Sequence, residues 1–210
     1  MMKRNILLIE DYLDELFKNP KCELVYHKDY ELLIAVVLSA QTTDKGVNKV
    51  TEILFSKYNT LEKLASADIS DIKDIIKPIG NYNKKAFYVI KISQTLIEKF
   101  NGIVPRTMVE LESMTGVGRK TANVVLGELF DIPSMAVDTH VLRVSNRLNL
   151  VKSKDPLIIE EKLKKLIKKE NWVKRHKQLV LFGRYYCKAI KPDCISCKLK
   201  EICQKDKIKK

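Results

Sequence analysis

Between Tyr82 and Phe100, the residues Tyr82, Ala86, Val89, Ile90, Ser93, Leu96, Ile97 and Phe100 fall on one face of a single helix, and this period recurs along the chain. Ala122, Val125, Leu126 and Leu129 mark a helix after Gly118. Ile159, Leu163, Leu166 and Ile167 mark another, opened by Asp155 as N-cap and Pro156 as first helical residue. Val47, Val50 and Leu54 follow Asp44 in the same manner, and Ile69, Ile72 and Ile76 follow Asp68. The run Leu32-Leu33-Ile34-Ala35-Val36-Val37-Leu38 suits a buried strand or a buried helix, but no partner strand with period-two alternation exists elsewhere, so it reads as helix. Only 7 glycines and 6 prolines leave few positions for tight turns. The fold class is therefore all-α, roughly ten short helices, with no repeat, no low-complexity tract and no flexible linker.

An apolar fraction of 45 % in 210 residues can bury a real core without staples. Lys+Arg number 39 and Asp+Glu 26, a formal net charge of 39 − 26 = +13, and nucleic acid is the commonest partner of so basic a chain. Only seven of these cations are arginine, so a lysine-rich coding bias accounts for part of the excess. The longest apolar run, Leu32 to Leu38, is far short of the roughly 20 residues that span a bilayer, and the N-terminal apolar stretch meets Glu10 and Asp11 after four residues. An intracellular location and no membrane partner are expected, which keeps cysteines reduced.

Four of the five cysteines, Cys187, Cys194, Cys197 and Cys203, are spaced C-x6-C-x2-C-x5-C. Four clustered thiolates repel one another and oxidise unless a metal neutralises them, so the spacing points to zinc or to an iron–sulfur cluster. Lys188, Lys191, Lys198 and Lys200 lie in the same loop, with Arg184 just before it, a candidate phosphate-contacting surface. Cys22 stands apart and reads as a small apolar residue.

Gly116-Val117-Gly118 separates a short helix from the clear one after it, a tight turn whose backbone amides can cradle a phosphate at a helix N-terminus. Lys120 falls in the first turn of that second helix, where the positive end of the helix dipole disfavours the ammonium and so favours a nucleophilic amine. Asp138, between Ala136-Val137 and Thr139-His140, reads as an N-cap and also as a carboxylate that could assist proton transfer and stabilise positive charge on a sugar.

Together these segments resemble the endonuclease III family. The resemblance rests on Leu38-Ser39-Ala40-Gln41-Thr42-Thr43-Asp44, Gly80 with Tyr82-Asn83, Gly116-Val117-Gly118-Arg119-Lys120-Thr121-Ala122, Val137-Asp138-Thr139-His140 and the four-cysteine spacing, in one order over about 22–203. It implies a helix-hairpin-helix DNA glycosylase with apurinic/apyrimidinic lyase activity, acting as a monomer on duplex DNA that carries oxidised pyrimidines or abasic sites. It implies two helical domains with a DNA-binding cleft between them. One is a six-helix domain, 22–132, with the hairpin at about 108–127; the other is a cluster domain, 1–21 plus 133–210, with the cysteine loop at 187–203. It selects a 4Fe–4S cluster over zinc, held by Cys187, Cys194, Cys197 and Cys203. Lys120 matches the catalytic lysine and Asp138 the catalytic aspartate. Gln41 matches the residue that enters the space left by the extruded nucleotide, and Asn81 stands at the wedge position. Gly116, Val117, Gly118, Arg119 and Lys191 are expected at the DNA backbone.

The chain departs from the family pattern at two positions. Thr115 replaces the proline before the first hairpin glycine, which loosens the turn. Asn81 replaces an apolar wedge, often leucine, and a polar wedge fills the stack less well. Two other functions share part of this pattern. An adenine-specific mismatch glycosylase shares the hairpin, aspartate and cysteine loop but lacks a lysine at the position of Lys120. A catalytically inert helix-hairpin-helix DNA-binding protein would not need the Lys120–Asp138 pair.

Overall fold

The computed structural model describes residues 2–204, in which eleven α-helices and two short 3₁₀ turns occur and no strand is present among the described residues. None of these helices is long and apolar enough to cross a membrane. The chain divides into two compact units, one from Cys22 to Phe130 and one joining the residues up to Lys21 to those from Asp131 onward.

The unit Cys22–Phe130 is built around α2 (Asp29–Leu38), after α1 (Met2–Leu16) of the other unit. Leu32 to Leu38 are each at most 4 % exposed, so this helix is apolar on every side and its sequence shows no amphipathic period. Burying each large side chain there contributes roughly 1.5–3 kcal/mol. Glu31, itself buried, accepts from the His27 and Lys28 amides at 2.7 and 3.2 Å and so closes the helix start. Against α2 pack α3 (Asp44–Lys57), α6 (Tyr82–Phe100) and α8 (Arg119–Phe130), while α4 (Leu61–Ala65) and α5 (Ile69–Ile76) pack on α6 and α7 (Met108–Glu112) on α8.

This makes seven α-helices, not six. The two of five residues, α4 and α7, are single turns capped by Thr60 and Thr107 and too short to carry a hydrophobic period. Asp68 caps α5 as expected, but Thr43, not Asp44, caps α3: its side chain accepts from the Gly46 amide at 3.2 Å and leaves Asp44 inside the first turn. On α6 the buried stripe is Lys85, Ala86, Val89, Ile92, Ser93 and Leu96, rotated from the expected face so that Ile97 is 36 % exposed and a lysine is buried.

The second unit packs α1 on α11 (Trp172–Tyr185), and α11 on α9 (Thr139–Arg147), which also meets α10 (Pro156–Leu166). Leu13, Val141, Val144, Ile159, Leu163, Leu179, Phe182 and Leu199 form its core. Gly183 lets α11 cross α9 closely, since a Cβ there would lie 2.8 Å from that of His140. Arg175, 5 % exposed, ties α11 to α1 by two bonds to Asp14, at 2.8 and 2.9 Å, and one to Glu10 at 3.1 Å. Gln178, fully buried, donates to the Leu13 and Phe17 carbonyls at 3.2 and 2.8 Å and so satisfies the C-terminal end of α1.

Candidate active site and cysteine loop

The hairpin joins α7 to α8 through residues 113–118. Gly116 adopts φ +85° beneath the Tyr88 ring, and the turn closes with Val117 N donating to Met114 O at 3.1 Å, without the proline that Thr115 replaces. Val117 is only 6 % exposed, so its side chain anchors the hairpin inward, which suits the backbone contact expected of it. Nothing lies within 4 Å of the position a Gly118 Cβ would take, which leaves the approach to the start of α8 open. Arg119 and Lys120 are the first two residues of α8, exposed and half-buried respectively.

Asp138 is the N-cap of α9, its Oδ1 accepting from Val141 N at 2.8 Å. Ahead of it, Met135 and Ala136 are buried, and the His176 ring nitrogen Nδ1 donates to Ala136 O at 2.8 Å. Burial holds the His140 imidazole below its ordinary pKa, and Arg143 reinforces this by donating to its Nδ1 at 3.1 Å. Lys120 and Asp138 thus each stand in the first turn or at the cap of a helix, in different units.

Gln41 and Asn81 are both exposed and both left-handed, with φ of 56° and 58°, and Asn81 Nδ2 donates to Gln41 Oε1 at 3.2 Å. Sequence reading had placed both at the DNA and had not foreseen their contact. It also missed Lys85, whose buried Nζ donates to Ala40 O and Thr42 Oγ1 at 2.8 and 3.0 Å. The only signal for it was a lysine one position from the expected apolar face.

In the cysteine loop all four thiols are half-buried. Burial pushes the Cys197 thiol up, and Cys187, Cys203 and Cys194 are near enough to push it further. Among the described residues no three His, Cys, Asp or Glu side chains form a ready-made site for a single metal ion. The donor set itself, four cysteines in one neighbourhood with few acids among them, suits a thiolate-bound group.

Two arginines missed by sequence reading hold this loop to α9. Arg143 donates to Cys187 O at 3.2 Å and Gly183 O at 2.8 Å. Arg147 donates to Lys188 O at 2.7 Å, Ala189 O at 3.2 Å and Cys187 Sγ at 3.4 Å. Their i, i+4 spacing after Asp138 was the available signal. Asp193 braces the next turn by accepting from Ser196 Oγ at 2.6 Å, and Lys191 stands exposed between, at φ 49°.

Residues 34–169, which include the glycine hairpin and the start of α8, match the family model described as HhH-GPD superfamily base excision DNA repair protein. Endonuclease III of Haemophilus influenzae is 48 % identical over 209 residues, covering 99 % of each chain, and that of Escherichia coli K12 is 44 % identical over the same share. A solved structure of a trapped endonuclease III–DNA covalent intermediate superposes with a TM-score of 0.94 at 46 % identity, covering 98 % of this chain and 97 % of that one. The chain belongs to the endonuclease III family. It is accordingly an enzyme of base excision repair, a DNA N-glycosylase with an associated apurinic/apyrimidinic lyase activity.

Proposed function

We propose that the enzyme removes oxidised pyrimidines from duplex DNA and nicks the strand, with Lys120 as nucleophile and Asp138 as its carboxylate partner. The observation that carries the reading is the place of Lys120 in the first turn of α8, directly after Gly118, whose surroundings are open. Extruding the damaged nucleotide costs a few kcal/mol, less when the base is damaged or mispaired. The hairpin backbone at Gly116, Val117 and Gly118, with Arg119 and Lys191, would grip phosphates while Gln41 and Asn81 occupy the space left behind.

The neutral Lys120 amine attacks C1′ and the N-glycosidic bond breaks, its electron pair leaving with the base. The amine sheds a proton and the sugar ring opens to a protonated Schiff base. That imine acidifies the C2′ hydrogen, so its removal expels the 3′-phosphate by β-elimination. Asp138 supports proton transfer and the positive charge that develops on the sugar. It is not the group that neutralises Lys120, since a carboxylate neighbour favours the ammonium.

Cys187, Cys194, Cys197 and Cys203 would hold a 4Fe–4S cluster, which would supply a covalent tie across the loop; the glycosylase and lyase steps need no redox chemistry from it. The resemblance selects the cluster over zinc, and the thiolate-only donor set is consistent with it. We further read the enzyme as an intracellular monomer acting wherever the genome resides.

Borohydride trapping on an abasic duplex tests the nucleophile. The wild-type protein should form a covalent adduct and Lys120→Gln none; an adduct of equal yield in Lys120→Gln overturns the assignment. Anaerobically purified protein should be brown and contain iron, and colourless protein with stoichiometric zinc overturns the cluster.

A further inference from the structure

A buried lysine without a carboxylate needs an explanation. Lys85 is 2 % exposed, no acid among the described residues pairs with it, and burial pushes its ammonium below lysine's ordinary pKa. Taking a charge out of water is costly, and an apolar side chain of similar length would avoid that cost. What the ammonium contacts is specific. It bonds Ala40 O and Thr42 Oγ1, the two residues that flank Gln41.

Gln41 holds a left-handed φ of 56°, a conformation that a residue with a Cβ keeps only where its surroundings enforce it. Asn81, one helical turn before Lys85 on α6, is left-handed too, and its carbonyl accepts from the Lys85 amide at 3.1 Å. Its side chain then reaches across to Gln41 Oε1 at 3.2 Å. One turn of α6 therefore grips the Gln41 loop from within and meets it from without.

We propose that Lys85 is a positioning residue: its ammonium locks the loop around Gln41 so that Gln41 and Asn81 stand as one preformed amide pair, ready to fill the gap left by the extruded nucleotide. The proposal rests on reading Gln41 as the gap-filling side chain. Preorganisation of this kind matters because a displacement of about 1 Å in a positioning group can lower a rate by roughly 10²-fold. It also gives the polar wedge of this chain a rationale, since an apolar side chain at 81 could not bond Gln41.

Lys85→Met, Gln41→Ala and the double variant test it, on a duplex with an oxidised pyrimidine opposite 2-aminopurine. Lys85→Met should melt at or above the wild-type temperature, because it removes a buried unpaired charge. Its single-turnover rate should fall by about 10²-fold, and the change in 2-aminopurine fluorescence on binding should shrink as it does in Gln41→Ala. The double variant should lose no more than Gln41→Ala alone. Losses that multiply in the double variant, or a wild-type fluorescence change in Lys85→Met, overturn the proposal. A wild-type fluorescence change in Gln41→Ala would instead overturn the reading of Gln41 as the gap-filling side chain on which the proposal stands.

Discussion

The ring of Tyr88 covers Gly116 so closely that a Cβ added to the glycine would stand 2.5 Å from the tyrosine Cγ, and φ at this glycine is +85°. Steric room and backbone conformation therefore demand glycine at the same position, and Tyr88 is the side chain through which α6 fixes the hairpin. Asn81, the N-cap of α6, and Lys85 and Tyr88 within it are spaced four and three apart, so one side of that helix organises the Gln41 loop at its start and the hairpin further along.

The two hairpin glycines should consequently fail in opposite ways. Gly116→Ala adds a left-handed cost to an overpacking cost and should destabilise the fold by about 2–4 kcal/mol. Gly118→Ala meets nothing within 4 Å, and its stability should stay within about 1 kcal/mol of wild type. Its methyl group would nevertheless stand where a phosphate approaches the start of α8, so DNA affinity should drop. Urea unfolding and a binding isotherm on undamaged duplex separate the two, and an unchanged affinity in Gly118→Ala would remove the hairpin from the DNA interface.

The cap role of Asp138 and the catalytic role proposed for it can be divided by substitution. As N-cap it accepts from Val141 N, which asparagine can also do and alanine cannot. Asp138→Asn should therefore keep wild-type stability, while Asp138→Ala loses about 1 kcal/mol. Both should lower the glycosylase rate by roughly 10²–10⁴-fold, because neither carries the charge. If Asp138→Asn retained full activity, the aspartate would be a cap and nothing more.

Asp14 should contribute to the acid limb of stability. Hydrogen bonds from Arg175 foremost, and from Lys174 and Gln178, hold its carboxyl well below the usual carboxylate range. A group depressed in the folded state stabilises fully above its unfolded value, near pH 4, and loses that contribution as pH falls toward its folded value. Unfolding free energy should thus decline below about pH 4. Asp14 is 38 % exposed, so solvent screens the pairing, and Asp14→Asn should cost only about 1 kcal/mol at pH 7 while flattening that decline. An unchanged slope in the variant, measured by urea titrations from pH 2 to 7 (roughly the carboxylate range), would reject this assignment.

At the other end of the scale, two tyrosines should mark alkaline loss. The Asp71 carboxylate accepting from its hydroxyl pushes Tyr58 up to about 12, and burial, with Glu128 beside it, pushes Tyr26 up to about 12. Each is raised in the folded state, so each stabilises fully below the unfolded value of about 10 and loses that contribution as pH rises through the folded one. A phenolate absorbance titration should show Tyr26→Phe and Tyr58→Phe each removing a late-ionising step, and early ionisation of both would contradict the environments described.

Some of this was legible in the chain and some could not be. The helix at Arg119–Phe130, the caps at Asp68 and Asp155 and the cap at Asp138 follow local rules, and local rules are written in consecutive residues. The segment Leu32–Leu38 was ambiguous for a physical reason, since a helix buried on all sides has no polar face to set a period. Lys85 was invisible because a lysine on a core face is held there only through carbonyl and hydroxyl partners 45 and 43 residues away. Arg143 and Arg147 were hidden likewise, their partners lying 40 or more residues on. The hairpin was read correctly as glycine-dependent, but the reason for Gly116, the Tyr88 ring, lies on another helix.

Those two arginines reassign part of the +13 charge and lead to the last prediction. Arg147 donates to Lys188 O, Ala189 O and Cys187 Sγ, so its charge is spent inside the protein on the shape of the cysteine loop, whereas Lys191 is exposed at the loop's left-handed turn. A lysine that meets a phosphate contributes about one unit to the salt dependence of binding and little to stability. Lys191→Ala should therefore weaken binding to all duplex sequences alike and lower the slope of log affinity against log salt by about 1. Arg147→Met should act differently: it frees the loop backbone, so iron content and protection of the loop from proteolysis should fall together, and the salt slope should drop by more than one because several loop lysines lose their placement. Protein stripped of iron should behave like Arg147→Met and, because Leu199 of the loop belongs to the core shared with Val141, Val144, Leu179 and Phe182, should also melt at a lower temperature. A slope unchanged in Lys191→Ala would return that lysine to the merely solvated surface.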